Sequence, residues 1–78
     1  MKLIQVLGPG CAKCTALATN AAEAVKQAGV EAQIEKISDI ATITAFGVMM
    51  TPALVIDGEV KLMGKVASVD EIKQLLTA

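Results

Sequence analysis

The stretch Lys2 to Cys14, KLIQVLGPGCAKC, decides how this chain folds. Lys2 to Leu7 is an apolar run too short for a helix and reads as a β-strand. Gly8-Pro9-Gly10 then breaks it sharply. From Ala12 the pattern changes period: Cys14, Leu17, Ala18, Ala21, Val25 and Ala28 recur at three- and four-residue spacing, which predicts an amphipathic helix ending at Gly29. A strand, a glycine-bearing turn and a Cys-x-x-Cys at a helix start form a specific context for thiol chemistry.

Working outward, Val30 to Ile37 alternates, with Val30, Ala32 and Ile34 against Glu31, Gln33 and Glu35, as a half-buried strand near a sheet edge does. Ser38 or Asp39 can cap a short second helix carrying Ile40, Ile43 and Phe46, closed by Gly47. Val48 to Pro52 reads as a loop and Ala53 to Ile56 as a third strand. Asp57-Gly58 is a strong hairpin signal, and Glu59 to Met63 is the fourth strand. Ser68 and Glu71 have capping-box spacing and open a last helix with Val69, Ile72, Leu75 and Leu76 on its apolar face. The order is βαβαββα. The first βαβ unit should be parallel with a right-handed crossover, and the final hairpin antiparallel.

Composition limits the alternatives. At 78 residues the chain reads as one domain over positions 1–78, near the size where a hydrophobic core alone just suffices. It is 54% hydrophobic with one aromatic, Phe46, and a net charge of −1 with mixed signs. That lacks the basic patch and the stacking aromatics of nucleic-acid binders. No apolar run reaches the ~18 residues of a membrane span, and the N-terminus lacks a signal-peptide pattern. These features lead to the expectation of a cytoplasmic protein, and in a reducing cytosol paired cysteines are more often catalytic or metal-binding than structural. A bridge between Cys11 and Cys14 would close a tiny loop and restrain the unfolded chain little, so bonding there would serve chemistry.

A cysteine at a helix N-terminus faces unpaired backbone N–H groups and the positive end of the dipole, and both favour thiolate over thiol. At an unperturbed pKa near 8.5, about 3% of a thiol is ionised at pH 7. A pKa of ~7 raises that to about half. Lys13 adds an exposed positive charge that either tunes this pKa or is simply a solvated helix residue. Cys11, at the very start of the helix, is the expected nucleophile. Cys14 belongs to the apolar stripe and is the expected resolving thiol.

Cys11-x-x-Cys14 after the first strand, Thr51-Pro52 before the third, Gly64 after the fourth and the βαβαββα order together resemble the thioredoxin superfamily. The likeness is nearest to its small, glutaredoxin-sized branch and covers essentially the whole chain. It implies an α/β thioredoxin-like fold: a four-stranded mixed sheet ordered 2-1-3-4, with the first and third helices on one face and the second on the other. It also implies a cis Thr51–Pro52 bond close to the cysteine pair, and substrate contact at Thr51 and Pro52. Gly10, Ala12 and Met50 are the further expected substrate contacts, Gly10 because its lack of a side chain lets a substrate backbone come close. Val48, Met49 and Met50 would form an adaptable apolar rim. The activity implied is thiol–disulfide exchange with protein or small-molecule disulfides. Electrons would come from a thioredoxin-reductase-like donor or small thiols, with no bound cofactor and the chain acting as a monomer.

The chain departs from its relatives in three places. Gly10 precedes Cys11 where thioredoxins proper carry Trp. Ala12-Lys13 lie between the cysteines where those proteins have Gly-Pro and glutaredoxins usually have Tyr. Gln5 stands six residues before Cys11, where full-length thioredoxins hold a buried Asp, so the route by which Cys14 loses its proton is open. A metal-binding or metal-delivery module using the same two thiolates is the alternative function. Two thiolates make half a structural zinc site, and with no His in the chain a second copy would have to complete it.

Overall fold

A computed structural model describes residues 2–10 and 12–77. Its elements run β1 (Lys2–Leu7), α1 (Ala12–Ala28), β2 (Ala32–Ile37), α2 (Ile40–Ala45), β3 (Ala53–Ile56), β4 (Glu59–Met63) and α3 (Val69–Thr77). The strands form one sheet ordered β2-β1-β3-β4. β1 pairs parallel with β2 and antiparallel with β3, and β3 pairs antiparallel with β4. This is the mixed α/β thioredoxin-like sheet that the sequence implies.

Strand alternation divides the core into two layers. Ile4 and Val6 of β1 and Leu54 and Ile56 of β3 pack with Leu17, Ala21 and Ala24 of α1 and with Ile72 and Leu76 of α3. Leu7, Ala53 and Val55 point the other way and pack with Ile43 and Val48. All four β3 residues are buried, because helices cover both faces of this central strand. In β4, Val60 joins the second layer and Leu62 the first, although residues two apart normally share a face. A register shift opposite Leu54 and Val55 accounts for this: Val60 pairs with Val55 and Leu62 with Leu54, leaving Lys61 as the extra residue of a bulge.

The local signals act where the sequence put them. Asp57 and Gly58 have φ of +52° and +82°, the left-handed pair that a tight hairpin needs. The Asp57 carboxylate also accepts the Leu3 backbone N–H at 2.9 Å, tying the hairpin to β1. Asp39 is the cap of α2 and accepts from the Thr42 amide at 2.9 Å and the Thr42 hydroxyl at 2.7 Å. Several readings change. β2 starts at Ala32, not Val30; Lys2 N–H donates to Glu31 C=O at 3.0 Å just before it. Phe46 lies just past α2 as its C-terminal cap, and Ile40 is exposed. Val48 is buried in the second layer and so is not part of a rim. Ala24, absent from the expected stripe, is fully buried on α1, while Asn20 donates to Ala67 C=O at 2.9 Å and fastens α1 to the segment before α3.

The α3 capping box is reciprocal: Glu71 N–H donates to the Ser68 hydroxyl at 3.2 Å, and Ser68 N–H to the Glu71 carboxylate at 3.3 Å. Ser68→Ala is expected to cost about 1 kcal/mol in denaturant unfolding. The Lys65 ammonium, at 2.7 Å, and the Ser68 amide hold Glu71 below the usual carboxylate range. Thr42 holds Asp39 below it through its hydroxyl and amide. A depressed folded-state pKa means stability that is present above the unfolded value and lost as pH falls through the folded one. Thermal melts should therefore be flat near neutrality and fall below about pH 4.5. Glu71→Gln should make that acid slope shallower.

Candidate active site

The site forms where β1 ends and α1 begins. Cys11, the expected nucleophile, lies outside the described residues. Ala12 and Lys13 are exposed in the first turn of α1. Cys14 lies on the inward side of that turn, 6% exposed, on the same buried face as Leu17, Ala18 and Ala21.

Gly8 sets how closely the pieces approach. Its N–H donates to Ile37 C=O at 2.8 Å, extending the β1–β2 ladder past Leu7. A Cβ placed on Gly8 would overlap Cys14 Sγ, lie 3.2 Å from Cys14 Cβ and lie 3.8 Å from Thr51 Cβ. Gly8 is therefore the spacer that lets the Cys14 side chain and the loop before β3 meet over the end of β1. Sequence reasoning treated it as a turn residue, since nothing local marks a close approach made by a residue on another element.

The Thr51–Pro52 bond is cis, Thr51 is exposed and Pro52 is fully buried. Contact with a partner at this loop therefore falls to Thr51 and its neighbours rather than to the proline ring. Gly64 N–H donates to Pro52 C=O at 2.8 Å, binding the end of β4 to the loop. Gly64 has φ +79°, and a Cβ there would come within 2.8 Å of Met50 Cε and 3.3 Å of Met50 Cβ. Met50 thus lies across Gly64. Met49 and Met50 are exposed, at 92% and 59%, and form the apolar rim that remains after Val48 is withdrawn.

Behind Cys14 is a cavity of about 200 Å³. Val6, Gly8 and Gly10 wall it from the first strand and turn, Cys14 and Thr15 from α1, and Lys36 and Ser38 from the end of β2. Gln5 is not among them. It pairs in register with Glu35, its amide donates to the Glu35 carboxylate at 3.2 Å, and strand alternation turns it to the face opposite Val6. Position 5 therefore faces away from Cys14; Lys36, paired with Val6 and exposed, lines the same cavity as Cys14. The signal was in the alternation of β2. After Ala32 and Ile34, the next position on that face carries an exposed lysine rather than an aliphatic residue. Among the described residues, no group of three or more His, Cys, Asp or Glu side chains gathers as a metal site. Nor is any described helix long and apolar enough to cross a membrane.

A 2-1-3-4 mixed sheet, a cysteine in the first turn of α1 and a cis-proline loop facing it define a protein of the thioredoxin-like class. Residues 2–77 match the family model of the thioredoxin domain, and the chain belongs to that family. It is 48% identical over 77 residues to a thioredoxin of Methanothermobacter thermautotrophicus, covering 99% of this chain and all of the relative. It is 37% identical over 76 residues to a thioredoxin of Methanocaldococcus jannaschii, covering 97% of this chain and 87% of that one. Family membership supports a function of the thiol–disulfide oxidoreductase kind.

Proposed function

We propose that the chain is a cytoplasmic redox carrier that cycles Cys11 and Cys14 between dithiol and disulfide. The Cys11 thiolate attacks one sulfur of a substrate disulfide. The substrate S–S bond breaks, one substrate thiolate leaves, and a mixed disulfide forms at Cys11. The Cys14 thiolate then attacks Cys11 Sγ, the mixed disulfide breaks, and the second substrate thiolate leaves. Two electrons pass to the substrate, and its thiolates take up the protons that the pair releases. A reductase or small thiols return the pair to the dithiol, and no bound cofactor is required.

Gly10 and Ala12 leave the approach to Cys11 free of bulk. Met50 and Thr51 offer apolar and backbone contact to the substrate chain, with Pro52 as the buried support beneath them. Lys13 adds positive charge near the thiolates. The observation that carries this reading is the placement of Cys14 in the first turn of α1, packed on Gly8 beside Thr51.

The test uses reduced protein under inert gas. One portion receives zinc or Cu(I), and bound metal is counted after gel filtration. Another is assayed for catalytic reduction of a disulfide-bonded protein, driven either by an NADPH-dependent thioredoxin reductase or by glutathione. Turnover with negligible metal retention is the expected result. Tight stoichiometric metal without disulfide reduction would replace this reading with the metal-carrier one.

A further inference from the structure

We propose that Met49 and Met50 are a peroxide-sensitive modification site: oxidation of their thioethers to sulfoxides withdraws the chain from protein disulfides and leaves Cys11–Cys14 exchange with small disulfides in place. This rests on the redox reading above and adds a control on its docking surface.

Among the described residues the exposed large apolar side chains are Ile40, Met49, Met50 and Met63, so three of the four are thioethers. Two of those three stand directly before Thr51-Pro52. The chain has no Trp, Tyr or His, which leaves sulfur as the readily oxidised element of its side chains. Access differs between the two kinds of sulfur. Cys14 is 6% exposed, whereas Met49 is 92% and Met50 59% exposed. Closing the cysteine pair into a disulfide protects the thiols and does nothing to shield a thioether.

Met50 is where this chemistry reaches the structure. A Cβ on Gly64 would stand 2.8 Å from Met50 Cε and 3.5 Å from Met50 Sδ, so the thioether lies against the bare glycine. The Gly64 N–H is already given to Pro52 C=O at 2.8 Å. A sulfoxide oxygen on Met50 gains no donor from that amide and takes its hydrogen bonds from water. The side chain then leaves its apolar contact for solvent. Met49 turns polar in the same way beside it. Pro52 stays buried beneath, so the loop keeps its place while the apolar contact offered to a docking chain is lost.

The step balances without the cysteines. A hydroperoxide gives one oxygen to Sδ: the O–O bond breaks, an S–O bond forms, the thioether is oxidised by two electrons, and the peroxide leaves as water or alcohol.

The test treats the disulfide form with hydrogen peroxide, removes the excess with catalase and reopens the pair with dithiothreitol. Peptide mapping then locates the added oxygens. The KM for a disulfide-bonded protein should rise about three- to tenfold with kcat little changed, and turnover of a small aromatic disulfide should hold. A Met49→Leu/Met50→Leu chain, compared with its own untreated sample, should keep its KM, whereas Met63→Leu should still show the rise. Methionine sulfoxide reductases of both epimer types should restore the parent value. The NMR contact between the Met50 methyl and the Gly64 α-protons should vanish on oxidation. Sulfoxides mapped at 49 and 50 with an unchanged KM would overturn the proposal. So would an equal rise in the leucine pair, or an equal loss on both disulfides. Those results, in a parent chain that reduces both disulfides, remove this proposal alone. A parent chain that reduces neither removes the redox reading and this one with it.

Discussion

A Cys14→Ser variant is expected to accumulate a stable mixed disulfide between Cys11 and its substrate, with multiple-turnover reduction lowered on the order of 100-fold or more. The variant keeps the attacking thiol and loses the group that clears it. In the parent chain that group stands three residues from Cys11 in the same chain, so its attack is intramolecular and gains the large effective concentration of a tethered nucleophile. Release in the variant must wait for an external thiol. Cys11→Ser should form no mixed disulfide at all, because the remaining sulfur is 6% exposed and packed on Gly8. Trapping with a disulfide-bonded protein, followed by non-reducing electrophoresis, reads both outcomes. Trapping by Cys11→Ser and not by Cys14→Ser would reverse the two roles.

Gly8→Ala should be the most damaging single-methyl change at the site. The added carbon would overlap Cys14 Sγ and crowd Cys14 Cβ at 3.2 Å, and neither atom sits at the end of a long flexible side chain. Either α1 or the end of β1 must shift, and overpacking of this kind typically costs about 1–3 kcal/mol. For a chain of this length, total stability is about 4–12 kcal/mol, so the loss is a substantial share. The effect should be coupled to Cys14. In a Cys14→Ala background the worst overlap is gone, and the cost of Gly8→Ala should drop by on the order of 1 kcal/mol in a double-mutant cycle. Equal costs in both backgrounds would show that Gly8 matters for its backbone and not for the sulfur beside it.

Much of the fold is written locally in the chain. The α1 stripe from Cys14 to Ala21, the Asp57-Gly58 turn and the Ser68/Glu71 box each act through neighbours a few residues away. The spacing of these residues therefore announces the elements. The features that were harder to read depend on long-range register. Val48 looks like a rim residue beside Met49 and Met50, yet it is drawn into the layer formed by Leu7, Ile43 and Val55. The bulge at Lys61 follows from how β4 meets β3, which no period-2 pattern in β4 reveals. At the site, position 5 drew attention through its distance along the chain from Cys11. The pleat of β1 turns it away and presents Val6 and Gly8 instead. Lys36 stands 22 positions after Cys14 in sequence and shares a cavity wall with it only because β2 lies parallel to β1 with Val6 opposite Lys36.

The most direct measurement equilibrates the protein across a series of dithiothreitol or glutathione redox buffers, quenches it with a thiol-tagging reagent and counts tags by intact mass. The expected result is one reversible transition in which both tags vanish together, with the two-electron slope of about 30 mV per tenfold change in ratio. A chain that keeps both tags at every accessible potential, or whose cysteines lose them separately, would contradict a Cys11–Cys14 redox pair.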